Sequence, residues 1–367
     1  MRDYVEIGIG REARQTWNLE DISLVPKRRT RSSKDVDTTW NIDAYTFDIP
    51  VMSHPTDALG GADFVSEFAR QGGLGVINAE GLIGRHEDYD DAVASVLSAD
   101  TPTTRLQELH AAPLNPELLT RCIGEVRESG ATVAVRVSPQ NARELAPVVV
   151  KAGAEILVIQ GTIISAEHVS AEGDSINLKE FIGSLDIPVI AGGVSNYTTA
   201  LHLMRSGAAG IIVGPGDEAG FESLGLHNAS ATIIADAAAA RREYMDETGG
   251  RYVHIIAGSD LWTSGDIAKA IACGADAVML GKALAGSTEA AGHGWYWESP
   301  AAHPRFPRGR IDDTTPADGL ASLEVILHGP TSNASGNQNL VGGLKRVMAK
   351  CGFTDVKSFQ KVELTVS

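Results

Sequence analysis

The chain has 367 residues and carries 31 Lys and Arg against 47 Asp and Glu, a formal charge of −16. That length suits one large barrel with extensions or two ordinary domains. A field of that sign repels phosphate backbones and anionic lipid, so nucleic acid and membrane surfaces are excluded as partners, and an anionic small ligand needs a local positive pocket. Apolar residues make up 43% of the chain, aromatics only 5%, and glycine reaches 39 residues, a balance suited to short buried strands alternating with helices. The three cysteines, Cys122, Cys273 and Cys351, are few, odd in number and far apart, which reads as reduced thiols in a cytoplasmic protein. The N-terminal residues are charged and lack the apolar core of a secretory signal, and no apolar run reaches the ~18 residues of a membrane helix.

In chain order, eight β-branched runs bounded by Gly, Pro or polar residues predict strands: Ile49–Ser53, Leu74–Ile77, Val133–Val137, Ile156–Ile159, Pro188–Ala191, Gly210–Val213, Val253–Ala257 and Asp276–Leu280. They lack period-2 alternation, as strands buried on both faces do. Helical patterns fall between them, at Ala62–Gln71, Pro116–Ser129, Gln140–Ala152, Thr198–Ser206, Ala229–Thr248 and Ser264–Cys273. A weak internal repeat accompanies this order: the stretches 151–159, 205–213 and 272–280 each end a helix in Gly, continue with Ala and enter a buried strand. The glycine supplies the left-handed position that stops the helix. The expected fold is therefore one α/β domain over 1–367, a TIM (β/α)₈ barrel. A doubly wound sheet is the structural alternative, but it wants a GxGxxG after the first strand and none is present. Residues 1–48 form an N-terminal extension. The segment 286–330, rich in Gly, Pro, His and aromatics, is too long for a simple connection and reads as a lid, flap or interface arm. Residues 339–367 supply a basic C-terminal helix and tail.

In such a barrel, chemistry collects at the C-terminal ends of the strands. Those ends carry Ser53-His54-Pro55-Thr56-Asp57, Asn78-Ala79-Glu80, Ser138-Pro139-Gln140, Gln160-Gly161-Thr162, Gly192-Gly193, Gly214-Pro215-Gly216-Asp217, Gly258-Ser259-Asp260 and Gly281-Lys282. The last four all bring glycine, and bare backbone N–H groups approach a phosphate closely only where side chains are absent. Gly192, Gly193, Gly214, Gly216, Ser259, Asp260, Gly281 and Lys282 are the candidates for that site. Each glycine alone could equally serve a tight turn. The aromatic run Gly292–Trp297 could stack on a planar ring or pack in the lid, and the basic stretch His303–Arg310 could close over a phosphate or stay solvated. His54 and His86 lack metal-ligand spacing, so no metal site is expected.

Several blocks in order resemble the IMP dehydrogenase/GMP reductase family: Trp17–Pro26, Asp48–Ser53 through Asp57, Gln71–Asn78, Pro188–Val194, Ser264–Lys269, Gly274–Gly281 and Asn339–Lys345. The span from Asn78 to Val133 is too short for a CBS pair, so the closest likeness is to the shorter bacterial IMP-dehydrogenase-related branch. The resemblance implies a purine mononucleotide (IMP or GMP) bound over the barrel mouth and NAD(P) as hydride partner. It further implies a catalytic cysteine in the loop after strand six, a potassium ion on that loop, and a homo-oligomer, commonly a tetramer. It makes Ser53, His54, Thr56 and Asp57 substrate-side candidates, and Gln160, Gly161 and Thr162 cofactor-side candidates. This chain departs from the pattern: the nucleophile's place in Gly214–Leu224 falls at Phe221, and Gly258 stands where the family has its ribose-binding Asp. Gln160 replaces an acidic residue, and Lys282 a serine. Three functions stay open: an NAD(P)-linked purine-nucleotide oxidoreductase, a non-catalytic purine-nucleotide-binding relative, or a barrel for another phosphorylated ligand.

Overall fold

The computed structural model describes residues 4–162, 164, 176–214, 224–226, 229–258, 261–305 and 309–366. Eight parallel strands form one sheet: β1 (Val51–Ser53), β2 (Val76–Asn78), β3 (Ala134–Val137), β4 (Ile156–Gln160), β5 (Val189–Val194), β6 (Gly210–Val213), β7 (His254–Ala257) and β8 (Ala277–Leu280). From β2 to β8 each strand pairs with the next, and β8 pairs with β1, Met279 opposite Met52. The remaining gap, between β1 and β2, is bridged at Met52 and Leu74, where Ser53 N donates to Leu74 O and Leu74 N to Val51 O, each at 2.9 Å. The sheet is a closed TIM barrel.

Among the described residues, helices outside the sheet include α1 (Ala62–Arg70), α2 (Pro116–Glu128), α3 (Ala142–Ala152), α4 (Leu178–Gly183), α5 (Tyr197–Arg205), α6 (Ser230–Thr248), α7 (Ser264–Cys273) and α8 (Leu340–Lys350), the last packed on α7. Their ends follow from local chemistry. Asn115, Asn177 and Asn196 accept backbone N–H groups at the starts of α2, α4 and α5, and Thr263 with Asp266 makes a capping box on α7. The three repeat glycines, Gly153, Gly207 and Gly274, have φ of +116°, +98° and +124°, the backbone state that turns each helix into its next strand.

The fifth strand departs from its expected limits. Gly192 and Gly193, read as a turn from the sequence, lie inside β5. Gly161 N donates to Gly192 O at 3.0 Å, Gly193 N to Gly161 O at 3.2 Å and Ile164 N to Gly193 O at 2.9 Å, so pairing with the chain after β4 carries the strand on to Val194.

Side chains alternate between two cores. One lies between sheet and helices. The other fills the barrel and holds Met52, Val76, Ala134, Val158, Ile190, Ile212, Ile256 and Met279, one from each strand. A hairpin, Trp40–Ile42 with Tyr45–Phe47, floors this inner core with Trp40, Ile42 and Phe47. Beside it, Asp276 is a buried hub: it accepts from Arg241 Nη1 at 2.5 Å, Tyr252 Oη at 2.6 Å and Ile255 N at 2.8 Å. Trp40 Nε1 donates to His254 Nδ1 at 3.3 Å, and burial pushes the His254 imidazole below its usual range, with Arg241 and Lys357 adding to the effect.

The described residues of 286–330 hold a hairpin, Trp295–Trp297 with Ile311–Asp313, and a helix, Leu323–His328. Tyr296 and Trp297 are buried.

Candidate functional site

The inward positions of a strand recur every second residue. Two residues beyond the eight inner-core positions stand His54, Asn78, Arg136 and Gln160 from β1–β4, then Gly192, Gly214, Gly258 and Gly281 from β5–β8. The top layer of the barrel is thus divided: four polar side chains on one half, bare backbone on the other.

The polar half is a connected network. Arg136, 5% exposed, donates through Nη1 to Asn78 Oδ1 and to Glu80 Oε2, both at 3.3 Å, and through Nη2 to Gln160 O at 2.9 Å. Gln160, 1% exposed, places its Nε2 3.2 Å from His54 Nε2 and 3.9 Å from Met279 Sδ. His54 meets the edge of the Tyr296 ring at 6.3 Å between centroids. Glu80 is held in turn by the Ser138 N–H, by Ser138 Oγ at 2.9 Å and by Asn141 Nδ2. A buried guanidinium is tolerable only with such partners.

The remaining substrate-side candidates are engaged with the protein. Ser53 Oγ accepts from Val76 N at 3.0 Å, and Thr56 Oγ1 donates to Trp297 O. Asp57 accepts from Leu82 N at 2.8 Å and lies 2.9 Å from His110 Nε2, while its backbone carbonyl accepts from Tyr89 Oη at 2.5 Å. Ser53, His54, Thr56 and Asp57 are all buried.

On the glycine half, the small residues serve close packing. A Cβ on Gly192 would fall 2.5 Å from Ile212 Cβ, and one on Gly258 2.8 Å from Ile212 Cγ2. At Gly281 it would fall 2.7 Å from Tyr296 Cζ and closer still to Oη. Gly214, at φ +124°, turns the chain out of β6. Lys282 opens the short helix after β8 and lines a small cleft of about 50 Å³ with Trp262, Thr314, Asn337 and Gln338. Gly161 and Thr162 are partly exposed at the end of β4. Gly216, Phe221, Ser259 and Asp260 lie outside the described residues, as do 306–308 of the basic stretch and most of the loop expected to hold potassium.

All three cysteines are free and none belongs to the mouth: Cys122 is in α2, Cys273 ends α7 and Cys351 follows α8. Burial pushes the thiols of Cys122 and Cys273 up to about 12 and raises that of Cys351. Among the described residues no group of His, Cys, Asp and Glu is arranged to hold a metal, and no helix is long and apolar enough to cross a membrane.

Sequence reasoning passed over Arg136, and it placed Glu80 at a strand end and Tyr296 in the aromatic run Gly292–Trp297 without the contacts they make here. The signal for Arg136 was present: a single charge in the otherwise apolar run Val133–Val137. Nothing local paired Tyr296 with His54.

The closed (β/α)₈ barrel has known relatives. A model of the IMP dehydrogenase / GMP reductase domain matches residues 16–303, and the chain belongs to that family. A crystal structure of an IMP dehydrogenase/GMP reductase-like protein from Corynebacterium glutamicum matches with a TM-score of 0.95 and 63% identity, covering 100% of this chain and 98% of that one. An uncharacterized oxidoreductase of Mycolicibacterium smegmatis is 58% identical over 373 residues, 99% of each chain. Inosine-5'-monophosphate dehydrogenase of Pasteurella multocida is 34% identical over 175 residues, 47% of this chain and 33% of its own. Family membership fits purine mononucleotide binding and, in general terms, a nucleotide cofactor.

Proposed function

We propose that this protein binds a purine mononucleotide at the barrel mouth and does not perform the cysteine-dependent chemistry of an IMP dehydrogenase or GMP reductase. The observation that carries this is the placement of the cysteines: every thiol in the chain sits in the outer helical layer, and none titrates near neutral pH. Covalent addition to a purine ring needs a thiolate beside it. Gly214 at the loop entry, and the positive charge of Lys282 just beyond β8, support a phosphorylated ligand. NAD(P) fits less well. A ribose diol is held by an acceptor facing the ligand, whereas Gln160 is buried with its amide against His54 and Met279.

Thermal unfolding of the purified protein against IMP, GMP and XMP tests the reading. A ligand at 100 times its dissociation constant adds about 2.7 kcal/mol of stability. The expected result is an upward shift with one mononucleotide and no hydride transfer when NAD(P)⁺ accompanies IMP or NADPH accompanies GMP. No shift at millimolar ligand, or any turnover, refutes it. A different phosphorylated ligand is the second reading, favoured by the Lys282 cleft with its Trp262 wall; a shift with a non-purine sugar phosphate alone would select it.

A further inference from the structure

We infer that the β1–β4 half of the mouth is a closed polar plug set by Arg136 and Gln160, so that the protein takes one ligand, on the glycine half, and no dinucleotide beside it. This deepens the mononucleotide reading and rests on it only for the identity of the ligand that remains.

Arg136 is the one ionised side chain among the eight top-layer positions. Its nitrogens reach three elements: Asn78 on β2, Glu80 just beyond it and the carbonyl of Gln160 on β4. That last bond anchors β4 at the residue whose amide meets His54, and Tyr296 caps His54 from the hairpin. From β2 round to β1 the side chains therefore form one continuous layer, with Arg136, Gln160, His54 and Tyr296 all buried. Glu80 cannot swing out to serve a ligand without losing Ser138 and Asn141 and leaving Arg136 without its carboxylate. Stripping one partner from a buried charge pair costs more than a ribose contact supplies. A second nucleotide entering over β4 would have to dismantle this layer.

The other half has no such layer. Gly192, Gly214, Gly258 and Gly281 bring no side chain of their own above the inner core and, among the described residues, make no hydrogen-bonded layer there, with only Ile212, Met279 and Tyr296 packed against Gly192, Gly258 and Gly281. Arg136 and Gln160 are thus specificity-determining residues that act by occupying the second ligand's place.

Two measurements on the full-length protein test the plug. The first titrates NADH and NADPH, each alone and with saturating IMP or GMP, read by energy transfer from tryptophan to the reduced nicotinamide. The expected result is no saturable binding into the millimolar range, and none gained in Gln160→Glu, a change that would raise affinity at least tenfold if position 160 faced a ribose. The second is phenylglyoxal footprinting with mass spectrometry: Arg136 stays unmodified while the exposed Arg28 and Arg29 react. Saturable dinucleotide binding to the wild type, a gain in Gln160→Glu, or modification of Arg136 at the rate of Arg28 overturns the inference. A failed mononucleotide shift with Arg136 still protected refutes the earlier reading and leaves the plug standing.

Discussion

Gly281→Ala separates two roles for a strand-end glycine. If Gly281 exists to let a phosphate approach the backbone, an added methyl group leaves the empty protein as stable as before and weakens ligand binding. If it exists because Tyr296 packs on it, the methyl destabilises the protein with no ligand present. The structure favours the second role: the new Cβ would lie 2.7 Å from Tyr296 Cζ, and Tyr296 is 2% exposed and cannot move aside freely. The backbone at Gly281 has φ −121°, outside the left-handed region, so the penalty is one of contact. Overpacking of this kind costs about 1–3 kcal/mol. With an unfolding entropy of about 2.1 cal/mol/K per residue over 367 residues, 1 kcal/mol corresponds to ~1.3 °C, so the midpoint should fall by about 1–4 °C. Tyr296→Phe removes the hydroxyl nearest the new methyl, at the cost of its 3.3 Å bond to Glu298, about 1 kcal/mol. The double variant should therefore be more stable than the sum of the two single losses, by about 0.5 kcal/mol or more in a urea-unfolding cycle. A Gly281→Ala protein of unchanged stability, or a cycle that closes additively, would refute the packing argument.

Two further predictions concern the floor of the barrel. His254 is held below its ordinary value of 6.5, first by burial, so the folded protein binds its proton less readily than the unfolded chain. The stability it contributes is fully present above pH 6.5 and is lost as pH falls through the lower folded value, where a proton on Nδ1 would face the Trp40 indole N–H. Urea midpoints at pH 7.5 and 5.5 should therefore drop more for the wild type than for His254→Gln; equal drops would contradict this. Asp276→Asn leaves the buried Arg241 guanidinium without its carboxylate and should cost about 3–5 kcal/mol in urea unfolding, with no selective effect on ligand affinity. A loss under about 1 kcal/mol would mean that the hub is dispensable, within the range of an exposed pair.

Local chemistry determined much of this protein. Short β-branched runs and glycines such as Gly153, Gly207 and Gly274 were enough to place eight strands and to predict the barrel, because each depends on neighbours a few residues away. The ordered family blocks pointed to the right family for a related reason, each being a short strand–turn–helix unit readable by itself. Tertiary structure alone decided the rest. Pairing with Gly161 drew Gly192 and Gly193 into β5, where the sequence suggested a turn. Closure of the sheet brought His54, Asn78, Arg136 and Gln160, up to 106 positions apart for His54 and Gln160, into one layer. Tyr296, from the far end of the chain, covered that layer and accounted for Gly281. Periodicity says which way a side chain points relative to its own strand. Whether the space it points into is open to a ligand or filled by the protein is set only when the strands close round it.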